Sequence, residues 1–338
     1  ALATPVATLV GLSLGAKRGI LFKSASMIET MAHADTVVLD KTGTITQGRP
    51  EVVYATVHES FERSLLYALV SASKHPISRG IAEYLERTET LGALPAFEEI
   101  REIPARGIVA RSGGMMVAGG NALLMSEAGI EIDSHSDKSL FYYAVNNRLV
   151  AVFELRDLPK ERAAESVESL KKAGLRVIML TGDNLRNARA VGSALGIDTI
   201  RAELKPDQKV RTVRELQLRQ GTVLMVGDGI NDAPVLAAAT CGMAMGVLGT
   251  DAAIEAADVA LMSDDVMKIG DTLRHARRVR QISTQNIVLS LLVLAILIPL
   301  AFGGTLSVAM AVLVHEFSEL IVVANGLRAG LATNLRRA

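Results

Sequence analysis

The sequence predicts an α/β protein: a parallel-sheet domain with an inserted α+β domain, plus transmembrane helices. Three observations predict it. Short β-branched runs that end on polar residues alternate with amphipathic stretches. The span from 48 to 153 separates the first of these runs from the rest and carries alternating strands of its own. Two mostly apolar runs lie near the C-terminus, and the first has no charge at all.

Taken in order, Ala1 to Gly15 is small and apolar and is followed by Lys17, Arg18 and Lys23. No charged n-region precedes it, so 1–24 is expected to be part of a membrane helix and its cytoplasmic extension rather than a secretory signal; a buried helix is the alternative. Thr36 to Leu39 reads as a buried strand ending at Asp40. Inside the insert, Met115 to Val117 and Leu149 to Phe153 read as strands. Beyond it, Arg176 to Leu180 ends at Thr181 and Thr222 to Val226 ends at Gly227-Asp228, with helices at Lys160 to Ala173 and Asn184 to Leu195. Strand–helix alternation implies a parallel sheet covered by helices on both faces, with its active site at the carboxyl ends of the strands.

Asn286 to Phe302 and Thr305 to Ala324 are each about 17 to 20 residues, enough to cross a hydrocarbon core of roughly 30 Å as helices. Gly303 and Gly304 permit a tight reversal between them. A buried soluble hairpin is the alternative, and the lack of any polar face on the first run argues against it. Arg274, Arg277, Arg278 and Arg280 precede the hairpin; Arg328, Arg336 and Arg337 follow it. Lys/Arg excess marks the cytoplasmic side, so the long middle region is expected in the cytoplasm and the protein multi-pass in a membrane, the cell inner membrane being the expected one.

Composition narrows the function. Among 338 residues, Lys+Arg equals Asp+Glu at 36 each, which argues against nucleic acid as a partner. Aromatics are 4% with no Trp, too few for base-stacking platforms. One cysteine, Cys241, forms no internal disulfide and suits a reducing compartment; beside Met243 and Met245 it reads as a core residue rather than a metal ligand.

Four constellations carry the chemistry. Asp40-Lys41-Thr42-Gly43-Thr44-Ile45-Thr46 delivers a carboxylate from a strand into a loop of glycine and hydroxyls. Such a carboxylate can attack phosphorus, and the loop's N–H groups and hydroxyls can hold phosphoryl oxygens. Thr181-Gly182-Asp183-Asn184 offers a hydroxyl and a helix N-terminus for the same oxygens, although Asp183 could equally be an N-cap. In Lys205-Pro206-Asp207-Gln208-Lys209, Lys209 can neutralise charge on a transferring phosphoryl group. Gly227-Asp228-Gly229-Ile230-Asn231-Asp232-Ala233-Pro234 brings acidic groups suited to Mg²⁺, which phosphoryl transfer needs to screen charge.

In this order D-K-T-G-T, T-G-D-N and G-D-G-x-N-D-A-P resemble the P-type ATPases over nearly the whole chain. The resemblance implies a haloacid-dehalogenase-like phosphorylation domain (25–47 and 154–268), an inserted nucleotide-binding domain (48–153) and a C-terminal membrane hairpin (269–338). It implies ATP and Mg²⁺ as cofactors, Asp40 as the phosphorylated residue, and Mg²⁺ held by Asp40, the Thr42 carbonyl and Asp228. Thr181, Lys209, Asn231 and Asp232 would support the phosphoryl group and its metal, with Lys41, Gly182 and Asp183 in the same catalytic set. Haloacid-dehalogenase-type phosphatases usually carry a second Asp, a general acid/base, two residues after the nucleophile. Thr42 stands there and cannot do that work near neutrality, so water attack on an aspartyl-phosphate should be slow. That suits a pump that moves while phosphorylated; a soluble-type phosphatase is the alternative.

Within the insert, Ser73-Lys74-His75-Pro76 resembles the S-x-H-P element of the heavy-metal-transporting branch, where the His contacts adenine. Gly119-Gly120-Asn121 resembles its second glycine element, and Gly107 the end of its G-x-G. The implied nucleotide set is His75, Pro76, Gly107, Gly119, Gly120 and Asn121. Three departures stand out: Val70 where the branch has Glu, Ala105 where it has the first Gly, and Lys160 where Arg is commoner. Ala1 to Pro5 resembles the stretch just after the branch's metal-binding tripeptide. The preceding membrane helices and the actuator domain are therefore expected before Ala1 as partners, together with membrane lipid and the transported cation.

The last apolar run contains His315, Glu316 and Glu319, and charged groups in a membrane helix default to a functional role. His315 and Glu319 are four apart and share a helix face. Imidazole with carboxylate suits Zn²⁺, Co²⁺, Fe²⁺ or Ni²⁺ better than Cu⁺. The pair resembles the H-E-G-x-T element of the cobalt/zinc-type branch, departing at Phe317 and Glu319. ATP-driven export of a divalent heavy-metal ion is the expectation; a copper(I)-type pump is the alternative.

Overall fold

The computed structural model describes residues 3–58, 60–88, 90–104, 106–132, 139–228, 232–246 and 255–330. The chain opens with α1 (Ala3–Lys17), β1 (Ile20–Phe22), α2 (Ala25–Ala32) and β2 (Thr36–Asp40). There follow β3 (Thr46–Val57), α3 (Arg63–Ser71), α4 (Pro76–Thr88), β4 (Glu99–Ile103), β5 (Gly107–Ser112), β6 (Met115–Gly120), α5 (Ala122–Glu127), β7 (Ser139–Val145) and β8 (Arg148–Pro159). Then come α6 (Ala163–Lys172), β9 (Arg176–Leu180), α7 (Leu185–Leu195), β10 (Thr199–Arg201), α8 (Pro206–Gln220), β11 (Val223–Gly227), α9 (Ala233–Ala238), β12 (Cys241–Ala244) and β13 (Val259–Leu261). Two long helices, α10 (Met267–Phe302) and α11 (Val308–Leu327), and a short 3₁₀ turn (Arg328–Gly330) end the described chain. The chain divides into two compact units, one of Ala1–Ile45, Glu161–Asp183 and Gly192–Ala338, the other of Thr46–Lys160 and Asn184–Val191.

The first unit holds a seven-stranded sheet in the order β1-β13-β12-β11-β2-β9-β10. β2 runs parallel to both β11 and β9, with Leu39 opposite Val226 on one side and Met179 on the other. Every residue of β2 and β11 is buried, which is why both read as short, mostly apolar runs rather than alternating ones. The expected parallel sheet has one exception: the edge strand β1 pairs antiparallel with β13. The order β11-β2-β9 sets side by side the residues that follow these strands. Cys241, Met243 and Met245 are core residues, and burial pushes the Cys241 thiol up to about 12.

The first apolar run near the C-terminus is only the second half of a longer helix. α10 begins at Met267, and its arginine-rich half buries Leu273, Ala276, Val279 and Ile282 at helical spacing. Arg277 donates to the carbonyls of Ala173 and Ala34, tying α10 to the loops that lead into β9 and β2. α1 packs on α10 and α11; Gly11 makes room for Val279, and Gly326 for Val6. α10 and the α11 region are long and apolar enough to cross a bilayer. Leu291, Ile296, Leu313 and Leu320 stand exposed on them. Asn286, fully buried, donates to the Val322 carbonyl and accepts from Asn325, joining the two helices.

The second unit is a six-stranded antiparallel sheet in the order β3-β8-β7-β6-β5-β4. Leu65, Leu66 and Leu69 of α3 and Ile81 and Leu85 of α4 form one core with Phe141, Tyr143 and Phe153 of the sheet. β7 and β8 are joined through Asn146 and Asn147, both at positive φ (49° and 59°), the turn that suits the twist of a two-residue hairpin. β3 and β8 pair from Thr46 opposite Pro159 onward, so residues 48 and 153 fall inside these strands and the unit begins and closes at their outer ends. Asp157 clasps that end, accepting from the Thr46 hydroxyl at 2.5 Å and the Gly48 N–H at 2.9 Å.

Candidate active site

The first candidate lies in the first unit, at the carboxyl ends of three adjacent strands. β2 ends at Asp40, Thr181 follows β9, and Asp228 follows β11. Asp40 is 4% exposed. Lys209, brought in by the first turn of α8, places its Nζ 2.5 Å from Asp40 Oδ1 and 3.0 Å from Asp232 Oδ1. Asp232 starts α9 but makes no side-chain cap bond there; its carboxylate serves Lys209 instead. Gly227 permits this approach, because a Cβ at that position would crowd the Asp232 carboxylate.

The loop after Asp40 turns sharply through Gly43 at φ +73°, and the Asp228 carboxylate lies against it, Oδ2 being 3.3 Å from where a Cβ would stand. Thr44 is fully buried and its hydroxyl has no hydrogen-bond partner. Thr42 is exposed. Buried Lys41 pairs with Asp183 at 2.8 Å. Asp183 is thus not the cap of α7: Asn184 does that, accepting from the Asn187 N–H at 2.8 Å. Thr181, 2% exposed, accepts from the Asp183 N–H. Gly182 passes close to the Leu204 carbonyl. Asn231 lies outside the described residues.

Burial is the main reason the Asp40 carboxyl is pushed up to about 7; the Asp232 charge adds to it and Lys209 opposes it. Burial also raises Asp232, partly offset by Lys209. Burial alone would lower Lys209, but the two carboxylates outweigh it and hold the ammonium above its usual value. Asp228 and Asp232 both act to raise Asp40, and Asp228 acts to raise Asp232, so three carboxylates act on one another here, a cluster of the kind a hard divalent cation relieves. Among the described residues no three acidic, imidazole or thiol side chains converge tightly enough to enclose a metal alone. A cation here would complete its shell with water and phosphate oxygens, as Mg²⁺ does.

The second candidate is a cavity of about 540 Å³ wholly within the second unit. Of the expected nucleotide residues, His75, Gly107, Gly120 and Asn121 line it, whereas Pro76 and Gly119 do not. Pro76 opens α4. Gly119 carries the neighbouring strand, with the Phe141 ring against it. Gly107 sits at φ +149°, where a Cβ would collide with the Gly119 carbonyl oxygen. Asn121 caps α5 by accepting from the Leu124 N–H. Val70 is 1% exposed in the core and brings nothing polar to the cavity. The carboxylate there is Glu102, which sequence reasoning missed: it is one of three exposed charges on the edge strand β4, with Glu99 and Arg101, and nothing local sets it apart.

In α11, His315 Nε2 and Glu319 Oε1 are 3.7 Å apart. Glu316 is exposed, away from that pair. His315 Nδ1 is buried with no hydrogen-bond partner.

A family model described as haloacid dehalogenase-like hydrolase matches residues 34–240. The chain belongs to the haloacid dehalogenase-like hydrolases. This haloacid dehalogenase-like chain also has relatives along nearly its full length. It is 39% identical over 337 residues to the probable cation-transporting ATPase G of Mycobacterium tuberculosis, covering 98% of this chain and 43% of that protein. It is 36% identical over 343 residues to a manganese-exporting P-type ATPase of Mycobacterium leprae, covering 97% and 47%. It is 35% identical over 339 residues to the cadmium/zinc-transporting ATPase HMA2 of Arabidopsis thaliana, covering 96% and 36%. The chain thus spans less than half the length of these relatives. A crystal structure of a zinc-transporting PIB-type ATPase in its E2·Pi state superposes with a TM-score of 0.82 at 30% identity, over 98% of this chain and 55% of that one. A structure of the catalytic domain of the CPx-ATPase CopB-B superposes at 0.65 with 26% identity, over 78% of this chain and 98% of that one.

Proposed function

We propose that this chain is the catalytic portion of an ATP-driven heavy-metal pump, exporting a divalent cation through an aspartyl-phosphate on Asp40. The observation that carries the reading is Lys209, held between Asp40 and Asp232 at the carboxyl ends of adjacent strands. An Asp40 oxygen attacks the terminal phosphorus of ATP; the new O–P bond forms as the bond to the ADP oxygen breaks, and ADP leaves with the electron pair. Lys209 opposes the protonation of Asp40 that burial favours and balances charge on the moving phosphoryl group. The buried, unpartnered Thr44 hydroxyl and Thr181 are hydroxyls of the kind that receive phosphoryl oxygens. Asp40, Asp228 and the Thr42 carbonyl would hold Mg²⁺, which supplies charge screening when bound. Thr42 offers no base to activate water, so the phosphoenzyme persists.

The cavity at His75 would take the nucleotide. The hairpin of α10 and α11 would lie in the membrane, the cell inner membrane in a bacterial host, acting with further membrane helices and an actuator domain. His315 and Glu319 would face the transported ion, and imidazole with carboxylate favours a divalent ion over Cu⁺.

The test is incubation of the detergent-solubilised chain with γ-labelled ATP and Mg²⁺. An acid-stable, hydroxylamine-labile label that vanishes in Asp40→Asn supports the reading. Rapid release of phosphate from small phosphoesters without such a label would instead establish a phosphatase.

A further inference from the structure

We infer that Glu102 receives the exocyclic amine of adenine while His75 donates to a ring nitrogen beside it, an inference that rests on reading the cavity as an ATP site. Glu102 stands on β4, the edge strand of the second unit. Its Oε1 accepts from the Ser73 hydroxyl at 2.7 Å, and the same hydroxyl oxygen accepts the His75 N–H at 3.0 Å. Ser73 is 6% exposed, so one shielded hydroxyl fixes the carboxylate to the loop that bears His75. His75 Nδ1 accepts the Ile77 N–H at 3.3 Å, which leaves the proton of the neutral ring on Nε2.

The cavity therefore carries an acceptor that cannot donate, next to a donor. Ile77, Ile103, Ile108, Leu140 and Phe141 supply apolar walls suited to a flat heteroaromatic ring. Glu102 is the one carboxylate among the residues lining the cavity, and the Arg106 guanidinium is already paired with Glu127. A 6-aminopurine offers an N–H donor beside a ring-nitrogen acceptor, the complement of this pair. A purine with no substituent at that carbon leaves the carboxylate without its partner.

The experiment compares ATP with purine riboside 5′-triphosphate, which differs only in lacking the amine, by calorimetric titration of the detergent-solubilised chain. Wild type is expected to bind ATP about tenfold more tightly. Glu102→Ala should bind both nucleotides alike. Ser73→Ala, which frees the carboxylate, should shrink the preference in the same direction. If wild type shows no preference, or Glu102→Ala keeps it with an unaltered circular dichroism spectrum, the inference is overturned while ATP binding stands. If wild type binds neither triphosphate, the ATP reading falls with it.

Discussion

The Lys209 ammonium bridges two buried carboxylates, 2.5 Å from Asp40 and 3.0 Å from Asp232, across 169 residues of sequence in the first case and 23 in the second. Without it, two buried like charges would face each other with no counterion among the described side chains at that distance.

Replacing Lys209 by Met should lower phosphoenzyme formation by about a hundredfold or more, the effect typical of removing a group aimed at developing charge. Lys209→Arg should recover part of the loss, because it restores charge but not the ammonium's compact fit. Quenched-flow labelling with γ-labelled ATP measures both.

Asp40→Asn should abolish the label yet stabilise the fold at neutral pH in metal-free buffer. Asp40 titrates at about 7 in the fold against its ordinary 3.8. Between those values the folded state holds a proton that the unfolded chain has released, so stability falls as pH rises through the window. The raised Asp232 acts in the same direction. The variant should therefore melt a few degrees higher at pH 7.5, by about 2–4 °C for each kcal/mol. That gain should fade as pH falls toward 4, and differential scanning calorimetry over that range checks it.

Thr42→Asp should shorten the life of the phosphoenzyme. It places a carboxyl two residues after the nucleophile, able to take a proton from attacking water, and such bases contribute about 10²–10⁴-fold. Thr42 is exposed, so the substitution imposes no burial cost. A chase with unlabelled ATP should show label decaying at least about tenfold faster than in wild type.

Gly107→Ala should destabilise the second unit by roughly 2–4 kcal/mol and weaken ATP binding, because strain at φ +149° adds to a clash with the Gly119 backbone. Urea denaturation followed by far-UV circular dichroism, alongside ATP titration, measures both effects. Gly113→Ala, at positive φ but with open space around it, should cost less.

Much of the fold and of the candidate active site was legible in the chain's own order of residues. The central strands are buried on both faces, so Thr36–Asp40 and Arg176–Leu180 read as short unbroken runs of β-branched and aliphatic residues. Their chemistry sits in the next residue or two, and a local motif therefore names Asp40, Thr181 and Asp228. The apolar stretches of α10 and α11 were legible because long, mostly apolar runs mark helices able to cross a bilayer. The first half of α10 was not, since nothing local distinguishes an arginine-rich surface helix from the buttress that Arg277 makes with Ala34 and Ala173.

What the linear order of residues decided is which side chains can do chemistry and on which strands they ride. The pairing of Lys209 with both Asp40 and Asp232, of Lys41 with Asp183 rather than a helix cap, and of Glu102 with Ser73 came only from three-dimensional packing. Strand identity is written in near-neighbour patterns of burial. Which charges meet depends on sheet order and on how far a loop returns, and those are long-range consequences that no window of sequence contains.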